Sequence, residues 1–333
     1  MKDWIQKRET ERFDLLRLVA GENNLPDFMI EKDWWVTSVL EALFTSELGK
    51  NLSFKGGTSL SKSWNLLNRF SEDIDIVIDK NLFGVTDNDE PGSGKRTKLR
   101  KEARKYVIEK VKPLLQAQLL KQGIPEEQFV LQEEPSTESD KDPTELLLSY
   151  KPITEITNDY TKAVVKIEIG VRAMMEPAEG RRVSSLLAQR LNPNEVIAIN
   201  TVLPKRTFWE KAFLLHELFQ KPVEEMKLLR LSRHWYDLDC LMNAGFGKEA
   251  MEDKELFTAI RNHRKIFTKV AGIDYDSLLP EGFNLSPPDA KKEEWSKDYE
   301  VMRQSYIFRS PPSLIELEES MTSVMEQFKT LKF

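Results

Sequence analysis

Two carboxylates at alternate positions of one segment have the clearest potential for chemistry. Asp73 and Asp75 lie in the stretch 73–79, where acidic and aliphatic residues alternate. This alternation predicts a β-strand, on which residues two apart point to the same face. Adjacent carboxylates repel each other unless a cation lies between them, and Mg²⁺ prefers carboxylate and phosphate oxygens. The spacing therefore indicates a magnesium site, with a solvent-facing strand end as the alternative.

A double glycine precedes these acids. Residues 51–55 are predicted as a short strand that ends at Gly56 and Gly57, and Thr58 is predicted as the N-cap of the following helix. Glycines at such a junction let the backbone approach a ligand, and a helix N-terminus attracts phosphate. A tight turn without a ligand is the alternative. The order strand, Gly-Gly-Thr, helix, Asp-x-Asp is the layout of a polymerase-β-type nucleotidyltransferase core, in which the glycine turn holds the triphosphate and the acids hold metals.

A third carboxylate would complete a two-metal site. Glu168 lies at the centre of the aliphatic stretch 164–170, which is predicted as a strand with Lys166 and Glu168 on one face. An acid in so apolar a strand is costly unless it is paired or coordinates a metal. Glu168 is therefore a candidate metal ligand, and a salt bridge is the equally compatible alternative.

Two charged positions stand beside large aromatic residues in the later, helical part of the chain. Lys211 follows Phe208 and Trp209, and Asp237 follows Trp235. Lys211 is predicted to reach the triphosphate, and Asp237 to orient Lys211 or Arg233. A buried ion pair with a purely structural role fits the same spacing.

A cluster of basic residues follows the acidic strand. Nine basic residues lie between positions 95 and 112, where the only acids are Glu102 and Glu109, on a helix predicted at about 95–121. Two interpretations remain open: a solvated helix face, or a surface that contacts a nucleic-acid phosphate backbone. The net charge of -6 argues against a protein that coats nucleic acid by bulk electrostatics, although a local patch still permits binding.

Composition bounds the class of protein. The chain has 333 residues, of which 40% are hydrophobic and 31% charged, as in globular proteins. A single cysteine, Cys240, excludes an internal disulfide, and three scattered histidines make a histidine-rich metal site improbable. The first residues lack the apolar stretch of a signal peptide, and no segment is apolar enough to span a membrane. A cytoplasmic protein that does not contact membranes is expected.

The remaining pattern predicts an α+β fold. Helices are predicted at 7–21 and 29–47, further strands at 146–150 and 163–171, and an exposed connection at 132–145. From about residue 183 the pattern is helical almost to the end. We therefore expect a nucleotidyltransferase domain with N-terminal helices at 1–180, built on a mixed sheet, and a mainly helical C-terminal domain at 181–333.

Several segments together resemble the AbiEii/AbiGii-type nucleotidyltransferase toxins, which include MenT-like enzymes. The resemblance runs from about residue 30 to about residue 240. It is carried by Glu31-Lys32-Asp33-Trp34-Trp35, Phe54-Lys55-Gly56-Gly57-Thr58-Ser59-Leu60-Ser61-Lys62, Arg69-Phe70-Ser71-Glu72-Asp73-Ile74-Asp75, 166–170, Glu210-Lys211 and 233–238. The block from the double glycine to the Asp pair is highly specific to this family.

The resemblance implies a polymerase-β-like fold and Mg²⁺-dependent transfer of a nucleotide from an NTP. It implies a toxin–antitoxin or phage-defence setting with a cognate antitoxin, and an RNA acceptor, with the 3′ end of tRNA as the leading candidate. A protein hydroxyl, a small-molecule acceptor or a non-catalytic nucleotide-binding module are the alternatives.

The resemblance also implies roles for individual residues. Asp73 and Asp75 would bind the metal, with Lys211 and Asp237 completing the site, and Ser71 would be a residue whose modification silences the toxin. The phosphate-binding positions would be Gly56, Gly57, Thr58, Ser59 and Lys62. The third acidic position varies in this family, which makes Glu168 a weaker inference. The insert at about 80–145 and the region after 245 have no firm counterpart there, so substrate choice is expected to lie in them.

Overall fold

A computed structural model describes residues 2–87, 89–156, 162–307 and 309–333. The chain forms two compact units. The first consists of Met1–Trp64 and Ser71–Val202, and the second of Asn65–Phe70 and Leu203–Phe333. The sequence predicts a boundary near residue 180, whereas the first unit extends to Val202, because the last two strands of its sheet end at Val183 and Val202.

The described part of the first unit contains one mixed sheet of seven strands, in the order β3-β4-β5-β2-β1-β7-β6. The strands are β1 (Leu52–Lys55), β2 (Ile74–Ile78), β3 (Phe129–Glu133), β4 (Thr144–Tyr150), β5 (Val164–Gly170), β6 (Ala178–Val183) and β7 (Ile197–Val202). β2 pairs with β5 and β1 pairs with β7 in parallel, and the other neighbours are antiparallel. The predicted α+β class with a mixed sheet is confirmed.

Helices of the first unit pack beside this sheet. They are α1 (Lys2–Ile5), α2 (Glu9–Asn23), α3 (Asp27–Phe44), α4 (Gly56–Lys62), α5 (Ser93–Tyr106), α6 (Lys112–Lys121) and α7 (Leu186–Leu191). Short 3₁₀ turns lie at Gly49–Asn51, Lys80–Phe83 and Glu126–Gln128. α3 is buried along most of its length, and its Trp35 ring stacks on Tyr150 of β4 at a centroid distance of 5.1 Å.

The sheet separates apolar from charged side chains as the alternation predicted. In β2, Ile74 and Ile76 are fully buried while Asp75 between them is half-buried. In β5, Ile167 and Ile169 are buried while Glu168 is half-buried. One face of these strands therefore belongs to the hydrophobic core, and the other carries the charges.

A π-helical turn at Val107–Val111 joins α5 to α6. Buried apolar residues recur every four positions along this continuous helix: Leu99, Ala103, Val107, Val111, Leu115 and Leu119. Because an α-helix has 3.6 residues per turn, a strict four-residue spacing drifts around it by about 40° at each step. The wider π turn reduces this drift, which keeps the apolar residues facing the core, while the lysines of α5 are exposed.

The described part of the second unit is helical around an aromatic core. Its helices are α8 (Pro204–Phe219), α9 (Arg233–Asn243), α10 (Phe246–Glu252), α11 (Lys254–Phe267), α12 (Lys292–Tyr306) and α13 (Leu314–Thr330), with 3₁₀ turns at Val223–Glu225, Pro280–Gly282 and Asp289–Lys291. Trp209 lies at the centre, 4.8 Å from the Phe257 ring and 5.0 Å from that of Phe328. The predicted helical C-terminal region is confirmed.

The stretch after residue 183 differs from the prediction in one respect. After the short helix α7 it contains β7, which pairs with β1 and β6 in the sheet, before the helices of the second unit begin at Pro204. The preceding strand, β6, was not predicted, because its sequence Ala-Glu-Gly-Arg-Arg-Val is largely polar and lies at a sheet edge. No helix in the described ranges is both long and apolar enough to cross a membrane.

Candidate active site

The glycine turn connects β1 directly to α4. The helix begins at Gly56, whose φ of 80° lies in the left-handed region that favours glycine. A Cβ atom at Gly56 would overlap the Asp75 carboxylate. Gly56 therefore serves both the backbone turn and the close approach of an acidic side chain. Thr58 is not the N-cap that the sequence predicted, because α4 starts two residues earlier and Lys55 occupies the cap position.

Hydroxyl groups in the first turn of α4 bind to the surrounding protein. The Thr58 hydroxyl donates to the backbone carbonyl of Asp73 and lies 2.8 Å from the Ser71 hydroxyl. The Ser59 hydroxyl donates to the carbonyl of Gly56 at 2.8 Å. Thr58 thus ties the glycine turn to the start of the acidic strand, and contact of these residues with phosphate stays a prediction.

Lys62, the last residue of α4, forms an ion pair with Asp33 of α3, and both side chains are largely buried. The second oxygen of Asp33 accepts a hydrogen bond from the backbone N–H of Leu186 at 2.8 Å. Lys62 thus has a structural partner here. Its predicted contact with phosphate stays a prediction, and would require the ammonium group to be shared with Asp33 or moved from it.

Charged residues form one row across four strands of the sheet. Asp75 of β2 is the register partner of Lys55 on β1 and of Glu168 on β5, and Glu168 is the partner of Glu145 on β4. Asp73 lies one residue before β2 and is half-buried, like Asp75. The parallel pairing of β2 with β5 thus places Glu168 next to Asp75. Glu145 is an addition that the sequence alone did not single out.

Lys166 lies between two members of this row. Its ammonium nitrogen is 2.5 Å from Glu168 Oε1 and 3.2 Å from Glu145 Oε2. Burial acts to lower the pKa of Lys166, but the hydrogen bonds and charges of Glu168 and Glu145 raise it above its usual value. Burial acts to raise the pKa of Glu145, yet its bonds to Lys141 and Lys166 lower it. The salt bridge weighed as the alternative for Glu168 is therefore present.

Asp73 and Asp75 are suited to hold Mg²⁺. This ion is commonly bound through one or two carboxylates, with water and substrate phosphates completing its coordination. The carboxylate of Asp75 lies directly against Gly56, in the space that a side chain at this position would occupy. Among the described residues no group of three or more acids, histidines or cysteines is arranged to hold a metal. Glu168 is engaged by Lys166, and its predicted role as a third ligand stays a prediction.

Lys211 and Asp237 lie together in the second unit. The Lys211 ammonium is 2.7 Å from Asp237 Oδ2, and the Arg69 guanidinium binds both oxygens of Asp237 at 2.7 and 2.8 Å. All three side chains are buried. Burial acts to raise the pKa of Asp237, but Arg69 and Lys211 hold it far below its usual value. Asp237 thus contacts Lys211, and this contact is required both by the predicted orienting role, which stays a prediction, and by a purely structural ion pair.

His234 completes this buried network. Its Nδ1 atom is 3.2 Å from the Lys211 ammonium. Burial and the positive charge of Lys211 lower the pKa of His234 well below its usual value, so the imidazole is neutral and accepts the hydrogen bond. Burial likewise lowers the pKa of Lys211, which makes its proton easier to lose than that of an ordinary lysine.

Arg69 is the member of this network to which the sequence gave no role. It stands in the segment just before Ser71, and 168 positions separate it from Asp237. The available signal was its place in the segment Arg69-Phe70-Ser71-Glu72-Asp73, which carries the family resemblance.

Comparison with known proteins adds two matches. The family model described as "Nucleotidyl transferase AbiEii toxin, Type IV TA system" matches residues 38–329. Among solved structures, the chain is similar to MenT4, a nucleotidyltransferase toxin from Mycobacterium tuberculosis H37Rv, with 16% sequence identity and a TM-score of 0.45 over 96% of this chain and 99% of that one. No curated protein sequence matches the chain.

Proposed function

We propose a specific reaction for this chain, which belongs to the AbiEii family of nucleotidyltransferase toxins of type IV toxin–antitoxin systems. In the cytoplasm, and with Mg²⁺, it would transfer a nucleoside monophosphate from an NTP to the 3′ hydroxyl of an RNA, with tRNA as the preferred acceptor. The observation that carries the proposal is the Asp75 carboxylate against Gly56, with Asp73 two residues before it.

In this reaction the RNA 3′ oxygen bonds to the α-phosphorus, the bond to the departing pyrophosphate breaks, and the hydroxyl proton is lost. Mg²⁺ held by Asp73 and Asp75 would neutralise the negative charge that gathers on the phosphates. Gly56 brings backbone close to Asp75, and Thr58 fixes the glycine turn to Asp73. The protein mainly positions the reactants, as in other phosphoryl-type transfers.

We assign Lys211 and Asp237 an essential role in activity. Asp237 holds the Lys211 ammonium at 2.7 Å, and Arg69 fixes Asp237 in turn with two hydrogen bonds. Such a paired arrangement locks the lysine in one conformation, which a residue that neutralises or transfers charge requires.

The surface of α5 supports RNA as the acceptor. Its arginines turn inward: Arg100 binds Asp140 and Arg104 binds Glu133 of β3. Its lysines turn outward, and the Lys98 side chain is 73% exposed. Lysine is depleted in protein–protein interfaces but contacts nucleic-acid phosphates readily. A lysine-covered helix in an otherwise acidic protein therefore suits a phosphate backbone better than a protein partner.

Ser71 supports control of the toxin by modification. Its hydroxyl lies 2.8 Å from that of Thr58, which in turn binds the backbone of Asp73. A phosphate on Ser71 would break the Thr58 contact and add negative charge beside the Asp pair. The proposed partners are thus an NTP, a tRNA or other RNA, and a cognate antitoxin that keeps the enzyme inactive.

The test is transfer from each of the four α-³²P-labelled NTPs onto total tRNA with Mg²⁺, with Asp73→Asn as the matched control. We expect one NTP to label the tRNA band, and the variant to lose at least about 100-fold of that activity while keeping its thermal unfolding midpoint. Label on protein instead of RNA would contradict the proposed acceptor. Full activity of Asp73→Asn would contradict the proposed site.

A further inference from the structure

Three carboxylates lie side by side in the row of charged residues across the sheet, and two of them, Glu168 and Glu145, contact the same lysine, Lys166. Asp75, Glu168 and Glu145 are register partners on adjacent strands, which are about 4.8 Å apart. Lys166 contacts Glu168 along its own strand and Glu145 diagonally across to β4. Lys141 contacts Glu145 at 3.0 Å and is the second cation at this end of the row.

Once a metal ion is present, the Lys166 ammonium group and the metal ion compete for the Glu168 carboxylate. Lys166 lies 2.5 Å from Glu168 and neutralises it, and among the described residues Glu168 does not form a metal-holding group with Asp73 and Asp75. A divalent cation beside Asp75 would repel Lys166, because like charges in a half-buried site interact strongly. The ammonium group then needs another acceptor, and Glu145 already contacts it at 3.2 Å.

We propose that Glu145 is a positioning residue for Glu168. When a divalent cation binds at Asp73 and Asp75, Glu145 takes over Lys166 and thereby releases Glu168 toward that cation. This inference rests on the proposed metal role of the two aspartates. Lys166 then neutralises Glu168 until the metal ion replaces it. The affinity for the metal therefore depends on whether Lys166 pairs with Glu168 or with Glu145.

The exchange predicts opposite effects on metal affinity when Lys166 is replaced and when Glu145 is replaced. Lys166→Met removes the competitor, so Mn²⁺ should bind about fivefold more tightly. Glu145→Gln leaves Lys166 with Glu168 alone, so Mn²⁺ should bind about threefold more weakly. Lys166→Arg keeps the charge and should keep the wild-type affinity to within about twofold.

The experiment is titration of the full-length protein with Mn²⁺ without NTP, followed by electron paramagnetic resonance of the free ion. Each substitution is also made in a Glu168→Gln background, where we expect its effect to fall below about twofold. Lys141→Met is the matched control, since it removes a charge from the same cluster without touching Glu168, and we expect it to change the affinity less than about twofold. Thermal unfolding midpoints verify that each variant is folded.

Two outcomes separate this inference from its premise. If Asp73→Asn abolishes Mn²⁺ binding but Lys166→Met has the same effect with and without Glu168, Lys166 acts only as a remote charge and the inference is overturned. If Asp73→Asn leaves Mn²⁺ binding unchanged, the proposed metal site itself fails, and the role of Glu145 fails with it.

Discussion

At the scale of single residues, Gly56 meets two demands at one position. Its backbone is left-handed, with φ of 80°, and the space a side chain would need is taken by the Asp75 carboxylate. A left-handed backbone costs an ordinary residue about 1–2 kcal/mol. A side chain at position 56 would also collide with Asp75, which belongs to the candidate metal site.

We predict that Gly56→Ala lowers the free energy of unfolding by about 1–2 kcal/mol and lowers nucleotidyl transfer by about 100-fold, because the Asp75 carboxylate must move. Urea unfolding and the labelled-NTP assay measure the two effects. The control is Gly94→Ala in α5, where a Cβ would meet no atom within 4 Å. Gly94→Ala should leave both quantities nearly unchanged. Normal transfer by Gly56→Ala would separate the glycine turn from catalysis.

The placement of single side chains was predictable where it depends on local spacing. Alternation along a strand was enough to place Lys166 and Glu168 on one face of β5, whereas Asp73 lies one residue before β2, which carries Asp75. Pairs between distant residues were not predictable, because nothing in the local pattern encodes the partner. The bond from Arg69 to Asp237 and that from Lys62 to Asp33 both join residues far apart in the chain.

At the scale of elements, α3 braces the acidic strand and the glycine turn. Glu31, Lys32 and Asp33 are consecutive and buried, and each reaches a different segment. Glu31 accepts hydrogen bonds from the backbone N–H groups of residues 153 and 154, Asp33 holds Lys62, and Lys32 binds Glu72 and the carbonyl of residue 162. Because Glu72 immediately precedes Asp73, the pair with Lys32 fixes the start of the acidic strand.

We predict that Lys32→Met destabilises the fold by about 3–5 kcal/mol, since it removes the partner of the buried Glu72 carboxylate. The double variant Lys32→Met/Glu72→Gln should regain more than half of this stability, yet remain at least about tenfold slower in transfer, because Asp73 loses its brace. Urea unfolding and initial rates measure the two quantities.

Glu31→Gln is the matched control for that pair. This substitution also alters a buried charge on α3, but the Glu31 side chain contacts residues 153 and 154 rather than the acidic strand. Its rate should stay within about threefold of wild type once the folded fraction is taken into account. A double variant with wild-type rates would show that the Lys32 pair serves stability alone.

Helices and strands were predictable where the spacing of their apolar residues was regular. Which strands lie next to each other in the sheet was not predictable. The helices near 7–21, 29–47 and 95–121 follow from apolar spacing, and the strand at 164–170 from its aliphatic alternation. Strand order depends on pairing over long separations, so the row of Asp75, Glu168 and Glu145 could not be read from the sequence. β6 lacks apolar alternation because it lies at an edge.

At the scale of the whole molecule, net charge opposes the proposed acceptor. The chain carries a formal charge of -6, so its average field repels RNA. The exposed lysines of α5 form a local region of positive charge. They differ from other exposed lysines in how close the nearest acidic side chain lies. Lys292, Lys297 and Lys329 each lie within 2.7 Å of an acid on the same helix or the adjoining turn, whereas Lys98 is 3.7 Å from its acid, Glu102.

We predict that the variant Lys98→Gln/Lys101→Gln/Lys105→Gln raises the KM for tRNA while kcat and the KM for NTP stay unchanged. Release of counterions should make log(kcat/KM) less steep against log[KCl] by about 2, since each phosphate contact contributes roughly 0.7–0.9. The control Lys292→Gln/Lys297→Gln/Lys329→Gln removes the same net charge and should leave that slope within about 0.5 of wild type. Equal slopes in the two variants would mean that total charge governs the encounter, and α5 would then be a solvated helix face without a role in RNA binding.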